Sequence, residues 1–252
     1  MSHKAITGRF GPLDEAVKYI NDNDKKLSYV ISETGSAIGG EDVQFAGSFA
    51  AALWAVDFHL YAMTRGVQRI SNTMRPEATH AFWIPDDSAP GKKASVQGLF
   101  PAAPFIADFV GKDSATQVAE ISVDGKPDHF TAYAAYNKNS GAIKRVALVN
   151  LVEWSPNSQN NRGNTTVTLD VGSAKPSTVQ RLHAENGAGA LGYDYNHNPH
   201  DNITWAGEQW SVSLDSGKGH FSHGKEHESV KMVGGKATVY VPDSEAVIVS
   251  FK

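Results

Sequence analysis

The sequence predicts a mixed fold, α/β followed by all-β. An α/β segment, residues 1–115, reads as the C-terminal portion of a (β/α)8 barrel, and residues 116–252 read as an antiparallel β-sandwich. Three observations predict this. Up to Val110 the pattern runs helix, strand, helix, strand with short connections, the alternation of a parallel barrel, though only about two strands of one. From Thr116 helical spacing gives way to short alternating runs. Gly, Asn and Asp turns separate those runs, as a sandwich requires.

Met1 to Pro12 is polar and Gly-containing, and reads as loop. Leu13, Val17 and Ile20 then recur at helical spacing, with Asp14 and Glu15 in the first turn, where they favour the helix dipole. Leu27–Ile31 is an apolar run of strand length, and Glu33 follows its end. A Gly-rich loop leads to Asp42, a candidate N-cap. Beyond it Phe45, Phe49, Leu53, Val56, Leu60 and Met63 share one helical face. Arg65-Gly66 stops this helix and Val67 to Ser71 is the next strand. Residues 72–98 form a long loop, and Leu99–Val110 a helix that Pro101 and Pro104 confine to its later part.

The β segment is expected as strands at Val118–Val123, Phe130–Tyr136, Ile143–Val152, Thr165–Val171, Thr178–His183, Ile203–Trp205, Trp210–Leu214, Val230–Val233, Ala237–Val241 and Ala246–Phe251. Asp124-Gly125, Asn137–Gly141 and Gly234-Gly235 supply turns.

The totals narrow the function. A net charge of -4 and a pI near 6.2 over 252 residues give no electrostatic basis for binding nucleic acid or an anionic membrane. Without cysteine there is no disulfide framework and no thiolate metal site. The window Phe45–Met63 nearly reaches spanning length, but Asp57 and His59 interrupt it, so a buried helix is expected rather than a membrane span. No basic and apolar leader follows Met1, so no signal peptide is expected in these residues. Two N-x-T triplets, at Asn164 and Asn202, suit a secreted protein.

Glu33 stands where the first strand ends, and strand C-terminal ends carry the chemistry of parallel barrels. The words ISETGSAIGG and FAGSFAAALWAVDFHLYAMTRGVQRIS resemble the end of the catalytic TIM barrel of family 79 glycoside hydrolases, the fungal and bacterial β-glucuronidases that are similar to animal heparanase. The resemblance runs on through the sandwich and covers nearly the whole chain. It implies that Glu33, with Thr34 and Ser36 in place, is the nucleophile of a retaining hydrolase acting on β-glucuronides or related glycans. It also implies a secreted enzyme without metal or organic cofactor.

Retention needs a second carboxyl group about 5–5.5 Å from the nucleophile. Only Asp14, Glu15, Asp22 and Asp24 precede Glu33, and no Asn-Glu pair, the family's acid/base signature, occurs in the sequence. The resemblance therefore implies that the proton donor lies in a missing N-terminal barrel half, so that this chain alone is inactive. His80 and Trp83, on the loop after the last barrel strand, are candidates to line the sugar site. Arg75 is a candidate for a uronate carboxylate or a surface cation. The family's tyrosine-based uronate recognition has no match here. His220, His223 and His227, or His197 and His200, have spacings a metal accepts, but they fall in loops and match no ligand word, so no metal site is assigned. Tyr193, Tyr195, Trp205 and Trp210 are candidates for a sugar-binding face, with Trp205 and Trp210 expected instead as sandwich core or domain-interface residues. The alternative function is a non-catalytic carbohydrate-binding or interaction sandwich.

Overall fold

In the computed structural model, residues 1–23, 27–37, 42–76, 78–85, 93–112, 114–125, 128–222, 224, 226–230 and 232–252 are described. The chain opens with α1 (His3–Thr7) and α2 (Gly11–Asn23), then β1 (Tyr29–Thr34). A short α3 (Val43–Ala46) precedes the long α4 (Phe49–Thr64), which leads into β2 (Val67–Asn72). A two-stranded hairpin, β3 (Trp83–Ile84) with β4 (Ser95–Val96), and the helix α5 (Ala102–Val110) complete this part.

β1 and β2 pair in parallel, with Thr34 opposite Asn72, and α4 lies in the connection between them. This β-α-β order agrees with the α/β alternation expected from the sequence. Three local expectations fail. Residues 3–7 are helix rather than loop, because Ser2 caps them and the His3 backbone N–H donates to Asp128 O. β1 starts later than expected and runs through Glu33, since pairing with β2 continues to Thr34. The expected single helix from Phe45 is broken at Gly47-Ser48. A Cβ on Gly47 would lie 2.7 Å from Gln97 Oε1 and 2.9 Å from Thr79 O, so this approach admits only glycine. The break turns Phe45 outward, 66% exposed, while Phe49, Leu53, Val56 and Leu60 are fully buried.

The second part is dominated by a sheet of eight antiparallel strands. β5 (Thr116–Ile121), β6 (Phe130–Asn137) and β7 (Ile143–Asn150) form a meander at one side. Beside β7 lies the last strand of the chain, numbered β15 (Glu245–Phe251), and beside that β9 (Pro176–Ala184). β10 (Ile203–Trp205), β11 (Glu208–Trp210) and β12 (Gly219–Phe221) continue to the far edge. A smaller sheet places β14 (Lys236–Pro242) between β13 (Met232–Val233) and β8 (Asn164–Asp170). Two four-residue helices, α6 (Tyr193–Asn196) and α7 (Val212–Asp215), lie in the connections. Trp210–Leu214 was expected as one strand; instead Ser211 caps α7 by accepting from Ser213 N and Leu214 N.

The two faces of the large sheet feed two different cores. Phe130, Ala132, Val146, Leu148, Val247 and Val249 meet Val167, Val239 and Val241 of the small sheet. The alternate residues Tyr133, Ala135, Ala147, Val149, Ala246 and Ile248 face the other way, onto Phe49, Leu53, Val56 and Leu60 of α4 and Phe105 and Phe109 of α5. The architecture is therefore three layers: helices, large sheet, small sheet. Burial on both faces explains why β7 and β15 read as unbroken apolar runs, V-A-L-V and A-V-I-V, rather than alternating. The boundary expected at 115/116 falls where β5 begins, and the helix-facing core runs across it.

Candidate active site

The C-terminal ends of β1 and β2 lie side by side and bring Glu33 against Thr73. Glu33 is exposed, and its Oε1 accepts a 3.1 Å hydrogen bond from Thr73 Oγ1. Thr73 is itself fixed by the strand ends: its backbone N–H donates to Thr34 O at 2.9 Å, and its hydroxyl lies 3.2 Å from the same oxygen. Sequence reasoning missed Thr73; its signal was its place just past a strand that pairs with the strand of Glu33.

Two further contacts shape this end. The His80 ring lies against Gly35, where an added Cβ would come 2.5 Å from its Cδ2, and His80 is buried. Ser36 Oγ donates to Ala46 O at 2.9 Å, tying the segment after β1 to α3. Below the strand ends, His59 holds Asn72. Its Nδ1 is 2.7 Å from Ala55 O and so carries the proton, which leaves Nε2 to accept from Asn72 Nδ2 at 3.2 Å. Burial pushes the His59 imidazole below its ordinary pKa, with the Ala55 carbonyl opposing, so it is neutral at pH 7.

Trp83 is 45% exposed and packs edge-on against Phe100, 6.1 Å between ring centres, rather than joining the His80 contact with Gly35. Phe100 in turn meets Trp210 at 5.3 Å. Trp205 is core, as expected: it is buried on Phe105 and donates from Nε1 to Asp108 Oδ2 at 2.8 Å. Tyr195 donates to Gln97 Oε1 at 2.7 Å. Asp194, on α6, accepts from Ser211 Oγ and from the backbone N–H groups of Val96, Val212 and Ser213. Burial opposes its ionisation, but these four donors outweigh that and hold the carboxyl below the usual carboxylate range.

Of the histidines weighed for a metal, His200 lies 3.0 Å from a carboxylate oxygen of Glu185, His197 packs against Tyr193, and His223 lies outside the described residues. Among the described residues no group of three or more His, Asp or Glu side chains converges to hold a metal. No helix among them is long and apolar enough to cross a membrane. A cleft of about 370 Å³ lies between β8 and the β5–β7 meander, lined by residues such as Ile121, Leu148 and Val167. None of Glu33, Thr73, His80 and Trp83 lines it, so it is no part of the site.

Residues 132–248 match the family described as "Glycosyl hydrolase family 79 C-terminal beta domain". The chain resembles the C-terminal part of a family 79 glycoside hydrolase. Two curated relatives, both named beta-glucuronidase, are 28% identical: one from Neurospora crassa, over 75% of this chain and 37% of its own length, and one from Aspergillus niger, over 76% and 35%. The chain thus spans little more than a third of the curated relatives it matches. A solved 4-O-α-L-rhamnosyl-β-D-glucuronidase from Fusarium oxysporum superposes on 99% of this chain and 49% of its own, with a TM-score of 0.77 at 22% identity. That match shows a common fold, and it takes in the helical part as well as residues 132–248.

Proposed function

We propose that the chain is the C-terminal part of a secreted retaining glycoside hydrolase acting on β-glucuronides or related glycans. In this reading β1, α4, β2 and α5 are the last portion of a (β/α)8 barrel, residues 1–115, and the sandwich domain is residues 116–252. Glu33 is the nucleophile. His80 and Trp83 line the sugar site, and the general acid is supplied by a barrel half outside these residues. What carries the reading is the position of Glu33: an exposed carboxylate at the C-terminal end of a parallel strand, held by the Thr73 hydroxyl.

The chemistry follows from that placement. Glu33 attacks the anomeric carbon as the acid protonates the departing oxygen, giving a glycosyl ester. Water, deprotonated by the same acid/base residue, then releases the sugar with its anomeric configuration retained. The Thr73 hydrogen bond restricts the Glu33 carboxylate and so fixes which oxygen faces the sugar.

The test is hydrolysis of an aryl β-glucuronide by a full-length form. Glu33→Ala should lower turnover by a factor on the order of 10⁴, and azide should restore turnover of an activated aryl glycoside. The 252-residue chain alone should be inactive. Robust activity from that chain, or a full-length enzyme indifferent to Glu33→Ala, would overturn the assignment. Sugar affinity without turnover in the full-length form would favour the non-catalytic carbohydrate-binding module instead.

A further inference from the structure

The two N-x-T triplets stand in opposite environments. Asn164 is exposed at the start of β8, on the outer face of the small sheet, and Thr166 is exposed on the same face. The intervening Thr165 points inward and is buried. β14 pairs with this segment, Pro242 opposite Asn164 and Tyr240 opposite Thr166. Tyr240 is 58% exposed, so a large aromatic ring lies uncovered diagonally across from Asn164. Asn202 is the reverse case. It sits between the buried residues Asp201 and Ile203, and its side-chain Oδ1 is sealed from solvent without a hydrogen-bond partner. Asn202 is itself only partly exposed, and a sugar on its amide nitrogen would have to fit beside that sealed oxygen.

We infer that Asn164 is an N-glycan acceptor in this protein and that Asn202 is not. The inference rests on the secreted reading, because the donor exists only in a secretory compartment. The donor is an oligosaccharide on a polyprenyl diphosphate. The Asn164 amide nitrogen forms a bond to the anomeric carbon and loses one proton. The bond from that carbon to the diphosphate oxygen breaks, and the diphosphate leaves with the electron pair. The attached glycan projects from the outer face, where the Tyr240 ring offers an apolar surface to the C–H face of the proximal sugar.

The experiment needs no glycosidase activity, so its outcome is separate from that of the proposed reaction. The chain is expressed in yeast behind a secretion leader, and both secreted and microsomal fractions are treated with an amidase that releases N-glycans. The wild type should show one glycan's mass shift, removed by the enzyme with conversion of Asn164 to aspartate. Asn164→Gln and Thr166→Ala should abolish the shift. Thr166→Ser, which keeps the hydroxyl, and Asn202→Gln should retain it. An unshifted wild type, a shift that survives Asn164→Gln, or a glycan mapped to Asn202 would each overturn the inference.

Discussion

Removing the Tyr133 hydroxyl tests the joint between helices and sheet. Asp57, in the middle of α4, is fully buried, and three side chains meet its carboxylate. Tyr133 Oη donates to Oδ1 at 2.5 Å, Thr131 Oγ1 donates to the same oxygen at 3.1 Å, and His3 Nδ1 lies 2.9 Å from Oδ2. Burial and the Asp57 charge push the Tyr133 phenol far up, so it remains a donor at any working pH. Tyr133→Phe keeps the ring and deletes one bond to a charged acceptor, worth about 2 kcal/mol. With a urea slope of about 3 kcal/mol/M for a chain of this size, the unfolding midpoint should fall by about 0.7 M. Asp57→Leu strands all three donors and should cost on the order of 3–5 kcal/mol. In that background the Tyr133 hydroxyl keeps only its 3.4 Å approach to the residue 57 backbone carbonyl, so Tyr133→Phe should cost little, giving a coupling of about 2 kcal/mol. An equal cost for Tyr133→Phe in both backgrounds would refute the argument.

Two further outcomes follow from contacts already described. His3 is desolvated, which lowers its pKa, but the hydrogen bond and charge of Asp57, aided by Glu120, outweigh this and raise it. Its stabilisation is then complete below the unfolded value of about 6.5 and is lost as pH rises through the higher folded value. Urea midpoints measured across that window should decline in the wild type and flatten in His3→Gln. At the site, Gly35→Val places a Cβ 2.5 Å from His80 Cδ2 and must displace that ring. The His80 imidazole resonances should move in an NMR spectrum of the variant, while Gly125→Val, at an open turn whose backbone is merely strained, should leave them in place.

The order of elements was legible in the sequence because it rests on periodicity and turn chemistry, which are local. Asp42 was read as a cap and caps α3; Asn137–Gly141 was read as a turn and joins β6 to β7. What was not legible depends on partners distant in sequence. Nothing around Gly47 announces that Gln97 and Thr79 will press on it, so the helix break and the outward turn of Phe45 were missed. α1 is held from outside by Asp57 and Asp128, and a five-residue helix has too few internal bonds to signal itself. β12 is a three-residue edge strand of Gly, His and Phe that exists because β11 pairs with it. At the site, the SETGS word marked Glu33, whereas Thr73 needed the parallel register before its hydroxyl had an acceptor.

The helix-facing layer of the large sheet bears on how such a protein can be recombined. Val149, Ile248 and Tyr133 belong by sequence to the sandwich, yet their neighbours are Leu53, Leu60 and Phe105 of the helical part. A chimera joined at 115/116, where the chain changes character, would set two half-cores from different parents against each other, and both would be misfitted. A seam placed before α4 keeps those half-cores as one inheritance, and carries β2 and Thr73 with them. The transferable segment is therefore longer than residues 132–248, the stretch that the family model matches.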